Sequence, residues 1–239
     1  MLVLIKGAGD LASGVALRVW RSGFDVVMTE IPEPTVIRRT VAFAEAVYEG
    51  TVEVEGVKAR LARDSEEAKT LLRDRVIPVL IDPKARCRRE LAPEVIVDAI
   101  LAKKNLGTFR GQAPLVIGCG PGFCAGEDVD LVVETKRGHY LGRVIRQGTA
   151  APNTGIPGNV GGYDEERVLR APSGGRFSGL KEIGDVVHQG QIIAKVDEEP
   201  VYARISGVLR GILRTGLKVP QGMKVGDIDP RGQVEYCFT

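Results

Sequence analysis

A short glycine-rich turn near the start of the chain has the residue types and spacing of a phosphate-binding loop. The pattern is G-x-G-x-x-A, formed by Gly7, Gly9 and Ala12. The first glycine allows a tight turn, the second lets the main chain approach a pyrophosphate, and the alanine allows a following helix to pack on a sheet. Unpaired N–H groups at the start of such a helix attract anions. The turn therefore predicts a nucleotide-binding site.

Charged residues near this turn bear on the same interpretation. Glu30 follows Gly9 by 21 residues, the interval at which a dinucleotide-binding fold places the acid that binds a ribose hydroxyl. Asp10 lies in the first helical turn, where its carboxylate would repel a phosphate unless it points away or binds a cation. Arg38 and Arg39 fit either a second anion contact or a solvated helix face. The alternative reading of the glycines is a simple strand-to-helix reversal.

The turn lies between elements that the hydrophobic pattern predicts as a βαβ unit. Residues 2–5 are a short apolar run, a helical spacing continues to Gly23, and a second apolar run follows at residues 24–28. The pattern also predicts a helix over residues 35–48 and a hairpin over residues 51–62. Later apolar runs predict strands at residues 76–81, 95–101 and 115–117. Residues 1–165 are therefore predicted to form an α/β domain with a Rossmann-like parallel sheet and an inserted hairpin.

Three later segments have the composition of ligand-binding loops. One is a second glycine loop with Gly120 and Gly122. Another is a basic hairpin with Arg137 and His139, and His139 is the candidate catalytic residue. The third is an irregular loop that contains Asn153, Thr154 and Gly155. For the hairpin, a polar solvated tip is an equally good reading.

The last part of the chain changes character near residue 165. Short strands and frequent turns replace helical spacing, and a G-x-x-V-x-x-G pattern occurs at residues 184–190 and again at 216–222. This internal echo resembles the biotinyl/lipoyl barrel-sandwich fold, which we predict for residues 166–239. A carrier domain of that kind needs a lysine at its hairpin tip, and residues 196–201 contain none. The sequence therefore predicts the all-β fold without the carrier function.

Composition excludes several classes of protein. The 239 residues are 44% hydrophobic and 27% charged, which excludes a disordered or fibrous chain, and the formal charge of +2 argues against a nucleic-acid partner. The opening apolar run is too short for a signal peptide or a membrane helix, so we expect no membrane association and a cytoplasmic location. Four cysteines and two histidines fit no zinc template, so no metal site is predicted.

Longer motifs resemble a known family. They are K-G-A-G-D-L-A-S-G at residues 6–14, V-D-A-I-L-A-K-K-N-L-G-T at 97–108, G-P-G-F at 120–123, E-T-K-R-G-H at 134–139, N-T-G-I-P-G at 153–158 and G-D-I-D-P-R at 226–231. Together they make the chain similar to the YqeB-type proteins of the selenium-dependent molybdenum hydroxylase system. The resemblance implies a cytoplasmic accessory or maturation protein that acts on a molybdenum hydroxylase or on its molybdopterin cofactor, with no reaction attached to it.

Three functions remain open at this point. The leading hypothesis is a maturation factor that binds a small-molecule cofactor, either NAD(P) or a molybdopterin nucleotide, at the first glycine turn, with the hydroxylase or its maturation proteins as partners. The second is an NAD(P)-dependent oxidoreductase in which His139 moves a proton. The third is a non-enzymatic docking chaperone. The sequence alone does not decide whether the protein is an enzyme.

Overall fold

The chain begins with a strand, a glycine turn, a helix and a second strand, which confirms the predicted βαβ unit. In the computed structural model, which describes residues 1–239, these elements are β1 (Leu2–Lys6), α1 (Asp10–Arg21) and β2 (Asp25–Glu30). β1 and β2 pair in parallel, and β1 is buried over most of its length, as its unbroken apolar run predicts. α1 ends where Gly23 takes a φ of +90°, a conformation that favours glycine.

The chain divides into two compact units. The first comprises Met1–Pro34 and Ala42–Thr154, and the second comprises Thr35–Val41 and Gly155–Thr239. This division falls at residues 154–155 rather than at the predicted boundary near residue 165, and it assigns an early segment to the later unit.

The remaining elements of the first unit are mostly strands. Its short helices are α2 (Ala46–Glu49), α3 (Ser65–Arg73) and α4 (Arg88–Leu91). Its strands are β3 (Thr51–Val54), β4 (Val57–Ala62), β5 (Ile77–Ile81), β6 (Val95–Asp98), β7 (Leu115–Cys119), β8 (Cys124–Ala125), β9 (Leu131–Val133), β10 (Val144–Ile145) and β11 (Gly148–Thr149). The predicted hairpin is confirmed, since β3 and β4 pair antiparallel around Glu55 and Gly56.

Nine of these strands form one sheet in the order β10-β9-β7-β6-β1-β2-β5-β4-β3. The inner strands are parallel, but β3 and β10 at the two edges run antiparallel to their neighbours. No helix lies in the connections from β6 to β7 and from β7 to β9. The prediction of a Rossmann-like parallel sheet is therefore wrong. The sheet is mixed, and its parallel strands β6, β7 and β9 lack the helical crossovers that such a fold requires.

The helix predicted over residues 35–48 is also wrong. Residues 39–41 and 43–45 form separate 3-10 turns, and only Ala46–Glu49 is α-helical. Tertiary contacts override the helical spacing here, because the segment before Ala42 packs into the second unit. Arg38 donates hydrogen bonds to the carbonyl oxygens of Tyr236 and Thr239, and Arg39 donates to that of Ile212.

The second unit consists of two four-stranded antiparallel sheets. Its strands are β12 (Val168–Arg170), β13 (Gly175–Gly179), β14 (Val186–Val187), β15 (Ile192–Val196), β16 (Glu199–Tyr202), β17 (Gly207–Ile212), β18 (Lys218–Val219) and β19 (Lys224–Asp229). The sheet orders are β12-β19-β17-β14 and β16-β15-β13-β18.

The barrel sandwich predicted for residues 166–239 is wrong, because that stretch is not self-contained. Ile212 donates its N–H to the carbonyl oxygen of Ile37, at 2.9 Å, and Gly211 packs against the same residue. The repeated G-x-x-V-x-x-G pattern corresponds to β14 and β18, two-residue strands at the edges of different sheets. The pattern thus marks a recurrent turn rather than a complete carrier-type module.

A buried ion pair joins the irregular loop of the second unit to its sheet. Arg167 Nη1 lies 2.5 Å from Asp227 Oδ1, and both side chains are buried. The same guanidinium donates to the carbonyl oxygen of Gly158, from Nη2 at 3.0 Å and from Nε at 3.2 Å. Within the D-P-R motif, Arg231 contacts both carboxylate oxygens of Asp229 and lowers the pKa of that residue.

None of the helices has both the length and the apolar character needed to cross a lipid bilayer.

Candidate functional site

The first glycine turn joins the carboxyl end of β1 to the start of α1. Gly9 is the N-cap residue of α1, with a φ of −64° and a ψ of 177°, and no side chain caps this end of the helix. The first N–H groups of an α-helix have no partner within the helix. The turn therefore presents the uncapped positive end of the α1 dipole at the edge of the sheet.

Gly7 is required by the protein's own packing. Its φ is +92°, and a Cβ atom placed on it would lie 3.1 Å from Ile100 Cα and 3.2 Å from the carbonyl oxygen of Ala99. The absence of a side chain lets the turn lie directly against the segment that follows β6. Gly9, by contrast, has a backbone conformation open to any residue.

Glu30, at the end of β2, binds directly to the glycine turn. Its Oε2 accepts a hydrogen bond from Ala8 N at 2.8 Å, and its Oε1 accepts one from Ile31 N at 2.8 Å. Burial raises the pKa of Glu30, and the two N–H donors offset part of that effect. Each carboxylate oxygen can accept a second hydrogen bond, so Glu30 both fixes the turn and retains acceptor capacity for a ligand hydroxyl.

The inner side of the turn is held by residues 43–44. Ser13 Oγ donates to Ala8 O at 3.1 Å and accepts from Phe43 N at 2.8 Å. Ala44 N donates to the same Ala8 carbonyl oxygen at 2.8 Å. These contacts are buried, so the position of the turn is fixed before any ligand binds.

Beneath the turn lies a buried polar network that sequence reasoning missed. Lys6 Nζ is 3.2 Å from Asp98 Oδ2 and also donates to Thr108 Oγ1. Thr108 Oγ1 in turn donates to Asp98 Oδ2 at 2.5 Å. Lys6 and Asp98 are paired across the parallel strands β1 and β6, and all three residues are at most 3% exposed. The only sequence signal was the presence of these residues in two of the long motifs.

The network fixes a strained loop beside the glycine turn. Between Asp98 and Thr108, Leu101 and Lys103 have positive φ values of 58° and 63°. Asn105 closes the loop, since its side chain donates to Thr108 O and accepts from the N–H groups of Gly107 and Thr108. Non-glycine residues with such φ values cost about 1–3 kcal/mol each and tend to cluster at ligand sites.

The second glycine loop contacts this strained loop. A Cβ atom on Gly122 would lie 2.7 Å from Lys104 Cα, and one on Gly120 would lie 2.5 Å from Thr135 Oγ1. Both glycines have positive φ values. Internal packing is thus sufficient to explain why glycine stands at each position. The second glycine loop packs against the strained loop.

The replacement Gly122→Ala is expected to destabilise the fold by several kcal/mol more than Gly126→Ala. Both glycines have positive φ, +111° and +91°, but only Gly122 faces backbone atoms within 4 Å. Both variants carry the strain of a left-handed alanine, about 1–3 kcal/mol, and Gly122→Ala adds a backbone clash. Urea unfolding of the two variants measures the difference, and equal losses would exclude the close approach to Lys104.

The basic hairpin is set apart from the first glycine turn. It follows β9, which is separated from β1 by β7 and β6, a distance of roughly 14 Å at about 4.8 Å per strand. Arg137 and His139 are exposed at its tip, and the His139 ring lies edge-on to Tyr140 with centroids 5.0 Å apart. The structure therefore does not bring His139 to the Gly7–Gly9 turn.

Glu134 anchors the base of this hairpin. Its carboxylate accepts hydrogen bonds from Lys136 N and Ala151 N, both at 2.7 Å. Burial alone would raise the pKa of Glu134, but these main-chain donors outweigh it, so the pKa lies below its ordinary value. Glu134 is thus a structural anion.

The remaining predicted site residues, in the irregular loop, lie on the surface. Asn153, Thr154 and Gly155 are exposed, where the chain passes from the first unit to the second.

All four cysteines are free thiols. Burial, together with the nearby Asp98 carboxylate, raises the pKa of Cys119 to about 11, so this thiol is protonated at neutral pH and poorly nucleophilic.

Exposed apolar side chains border the glycine turn. Leu11 in the first turn of α1 is 59% exposed, and Ile100, whose backbone lies against Gly7, is 36% exposed. Ile31 follows Glu30, and Ile81 lies opposite Glu30 in the neighbouring strand β5; both are also exposed. N–H donors at a helix start, an acceptor carboxylate and an apolar rim suit a ligand that combines an anionic group, a hydroxyl and a flat ring.

Comparison with known proteins gives one strong sequence match. The chain is 53% identical over 232 residues to "Uncharacterized protein YqeB" of Escherichia coli (strain K12). The match covers 97% of this chain but only 43% of that relative. No protein-family model matches the sequence.

Similar solved structures are distant. They include an aspartoacylase family protein from Mesorhizobium loti, with 12% identity, a TM-score of 0.32 and coverage of 95% of this chain and 84% of that one. A succinylglutamate desuccinylase/aspartoacylase from Rhodobacter sphaeroides has 16% identity, a TM-score of 0.28 and the same coverage. Scores this low support no assignment of fold or function. The sequence match is the informative one: over nearly its whole length the chain is similar to the E. coli YqeB protein, and it spans less than half the length of that relative.

Proposed function

We propose that this protein is an accessory factor in the maturation of a selenium-dependent molybdenum hydroxylase and that it binds a nucleotide or molybdopterin-type cofactor at the Gly7–Gly9 turn. The observation that carries the binding proposal is the uncapped start of α1, where Gly9 has no side chain and Glu30 holds the turn through Ala8 N. The maturation role rests on the family resemblance of the long motifs.

The chemistry of the turn favours a phosphorylated ligand. Its phosphate groups would accept hydrogen bonds from the first N–H groups of α1, where the helix dipole also favours negative charge. A ribose or pterin donor would bind the free acceptor positions of Glu30, and the ring would lie against Leu11 or Ile100. Asp10 limits the pose, because its carboxylate in the first turn of α1 must point away from the phosphate.

A thermal-shift panel of NAD(H), NADP(H), ATP, CTP and molybdopterin nucleotides tests the binding proposal. A ligand at about 100 times its Kd adds roughly 2.7 kcal/mol of stability, so at least one member should raise the Tm clearly. An unchanged Tm across the panel would contradict the proposal.

The variant Gly9→Val should weaken at least tenfold the binding of the ligand that raises the Tm. The valine side chain occupies the space through which a phosphate approaches the main chain. Gly14→Val is the matched control, since a Cβ atom at Gly14 meets no atom within 4 Å. Isothermal titration should give the control an affinity within about twofold of the parent. Equal affinities in all three proteins would place the ligand elsewhere.

The maturation role has its own test. A selenium-dependent hydroxylase is produced in three kinds of cell, which contain the parent protein, its Gly9→Val variant or neither. The molybdopterin content of the three hydroxylase preparations is then compared. We expect low cofactor content without the protein and with Gly9→Val. Full content in its absence would exclude a maturation role while leaving ligand binding intact.

A further inference from the structure

The basic hairpin at residues 134–147 ends in an open sheet edge. β10 is the terminal strand of the nine-stranded sheet and pairs only with β9, through Val144 with Val133 and Ile145 with Val132. Glu134 N donates to Arg143 O at 3.0 Å, so the Arg143 carbonyl points toward β9. In a trans peptide the next N–H points the opposite way, and Val144 N–H therefore faces the open edge.

A groove of 480 Å³ follows this edge. Residues 143–147 line it, together with Glu134, Tyr140 and Thr149. Tyr140 is 59% exposed and Val144 is 49% exposed, so the groove offers apolar surface next to unpaired main-chain groups. Open sheet edges of this kind are sites at which another extended chain can add as a strand.

Basic side chains outnumber acidic ones at the groove, which is lined by Arg143 and Arg146 but also by Glu134. Lys136, Arg137, Arg143 and Arg146 are exposed. Glu134 is the only acidic residue between positions 131 and 163, and its carboxylate already accepts main-chain hydrogen bonds. The Arg143 guanidinium lies over the Tyr140 ring at 5.3 Å, which holds it beside the groove.

We propose that the β10 edge binds an extended acidic segment of a partner protein by strand addition. Val144 N–H and C=O would pair with the main chain of the segment, Arg143 and Arg146 would bind its carboxylates, and Tyr140 would contact an apolar side chain. Strand addition uses the open Val144 N–H at the sheet edge, which a site for a small anion would not require. This inference concerns a surface separate from the glycine turn and does not depend on ligand binding there.

Fluorescence anisotropy with the full chain and a labelled peptide of alternating Glu and Val tests the proposal. The double variant Arg143→Glu/Arg146→Glu should weaken binding at least tenfold. The matched control is Arg86→Glu/Arg89→Glu, which makes the same change in charge at two exposed arginines elsewhere and should stay within about twofold of the parent.

A second peptide separates strand addition from charge attraction without altering the protein. Methylation of alternate peptide nitrogens removes the main-chain donors and leaves the charge unchanged, so binding should fall at least tenfold. Equal binding of the methylated and unmethylated peptides would overturn strand addition. Complete displacement of the unmethylated peptide by inorganic phosphate at constant ionic strength would overturn it as well. Failure of the unmodified peptide to bind would overturn the proposal as a whole.

Discussion

Replacement of Lys6 by methionine lowers the free energy of unfolding by about 3–5 kcal/mol, because removal of one partner of a buried ion pair leaves an uncompensated charge. In the parent protein, Asp98 is 2% exposed and receives both Lys6 Nζ and the Thr108 hydroxyl. Methionine fills a similar volume, so the loss reports the missing charge rather than a cavity. Equilibrium unfolding in urea measures the effect.

Two further variants separate this effect from general loss of charge. Arg21→Met removes an exposed pair with Glu55 and should cost at most about 1 kcal/mol. Adding Asp98→Asn to Lys6→Met should recover part of the lost stability, since no charge then remains buried. A loss below about 1 kcal/mol in Lys6→Met would mean that the Asp98 carboxylate reaches solvent.

Replacement of Arg167 by methionine should cost about 3 kcal/mol, the lower end of the range for a buried pair. Asp227 loses its 2.5 Å partner but retains Lys224, whose Nζ lies 3.5 Å away. Gly158 O loses both of its guanidinium donors as well. Urea unfolding gives the stability change, and amide hydrogen exchange should become faster in residues 155–162.

The exposed Arg170 supplies the control for this prediction. It donates to Gly222 O at 3.0 Å from the surface of β12, so Arg170→Met should cost less than about 1 kcal/mol. The double variant Arg167→Met/Lys224→Met should lose more stability than Arg167→Met alone, because Asp227 then has neither cation. Unchanged exchange in the loop of Arg167→Met would show that Gly158 is held by other contacts.

Local elements of the fold were predictable because their signals are short in range. The apolar run before Gly7, the helical spacing to Gly23 and the alternation around Gly56 correspond to β1, α1 and the β3–β4 hairpin. The mixed sheet was not predictable, because no local pattern shows that the antiparallel strands β3 and β10 extend the two edges of the same sheet as the parallel strands. Helical spacing at residues 35–48 was misleading because these residues are divided between the two units.

At the candidate site, the groups with a recognisable local pattern were predictable from the sequence. Glu30 accepts a hydrogen bond from Ala8 N of the glycine turn, a contact that the spacing did not predict, and its binding of a ribose hydroxyl stays a prediction. Lys6 and Thr108 are 102 positions apart and form a buried hydrogen bond that no local pattern signals. A lysine after an apolar run indicates the end of a strand, and only the tertiary structure reveals that it is buried.

The early segment 35–41 limits how the later unit can be handled as a separate piece. Ile37 O accepts the Ile212 N–H, and Arg38 and Thr40 hold main-chain carbonyls at positions 236–239. A gene fragment that encodes only residues 155–239 would leave these hydrogen-bonding groups unmatched. The unit is therefore not a contiguous cassette, and a chimera or domain exchange must transfer both stretches of the polypeptide together.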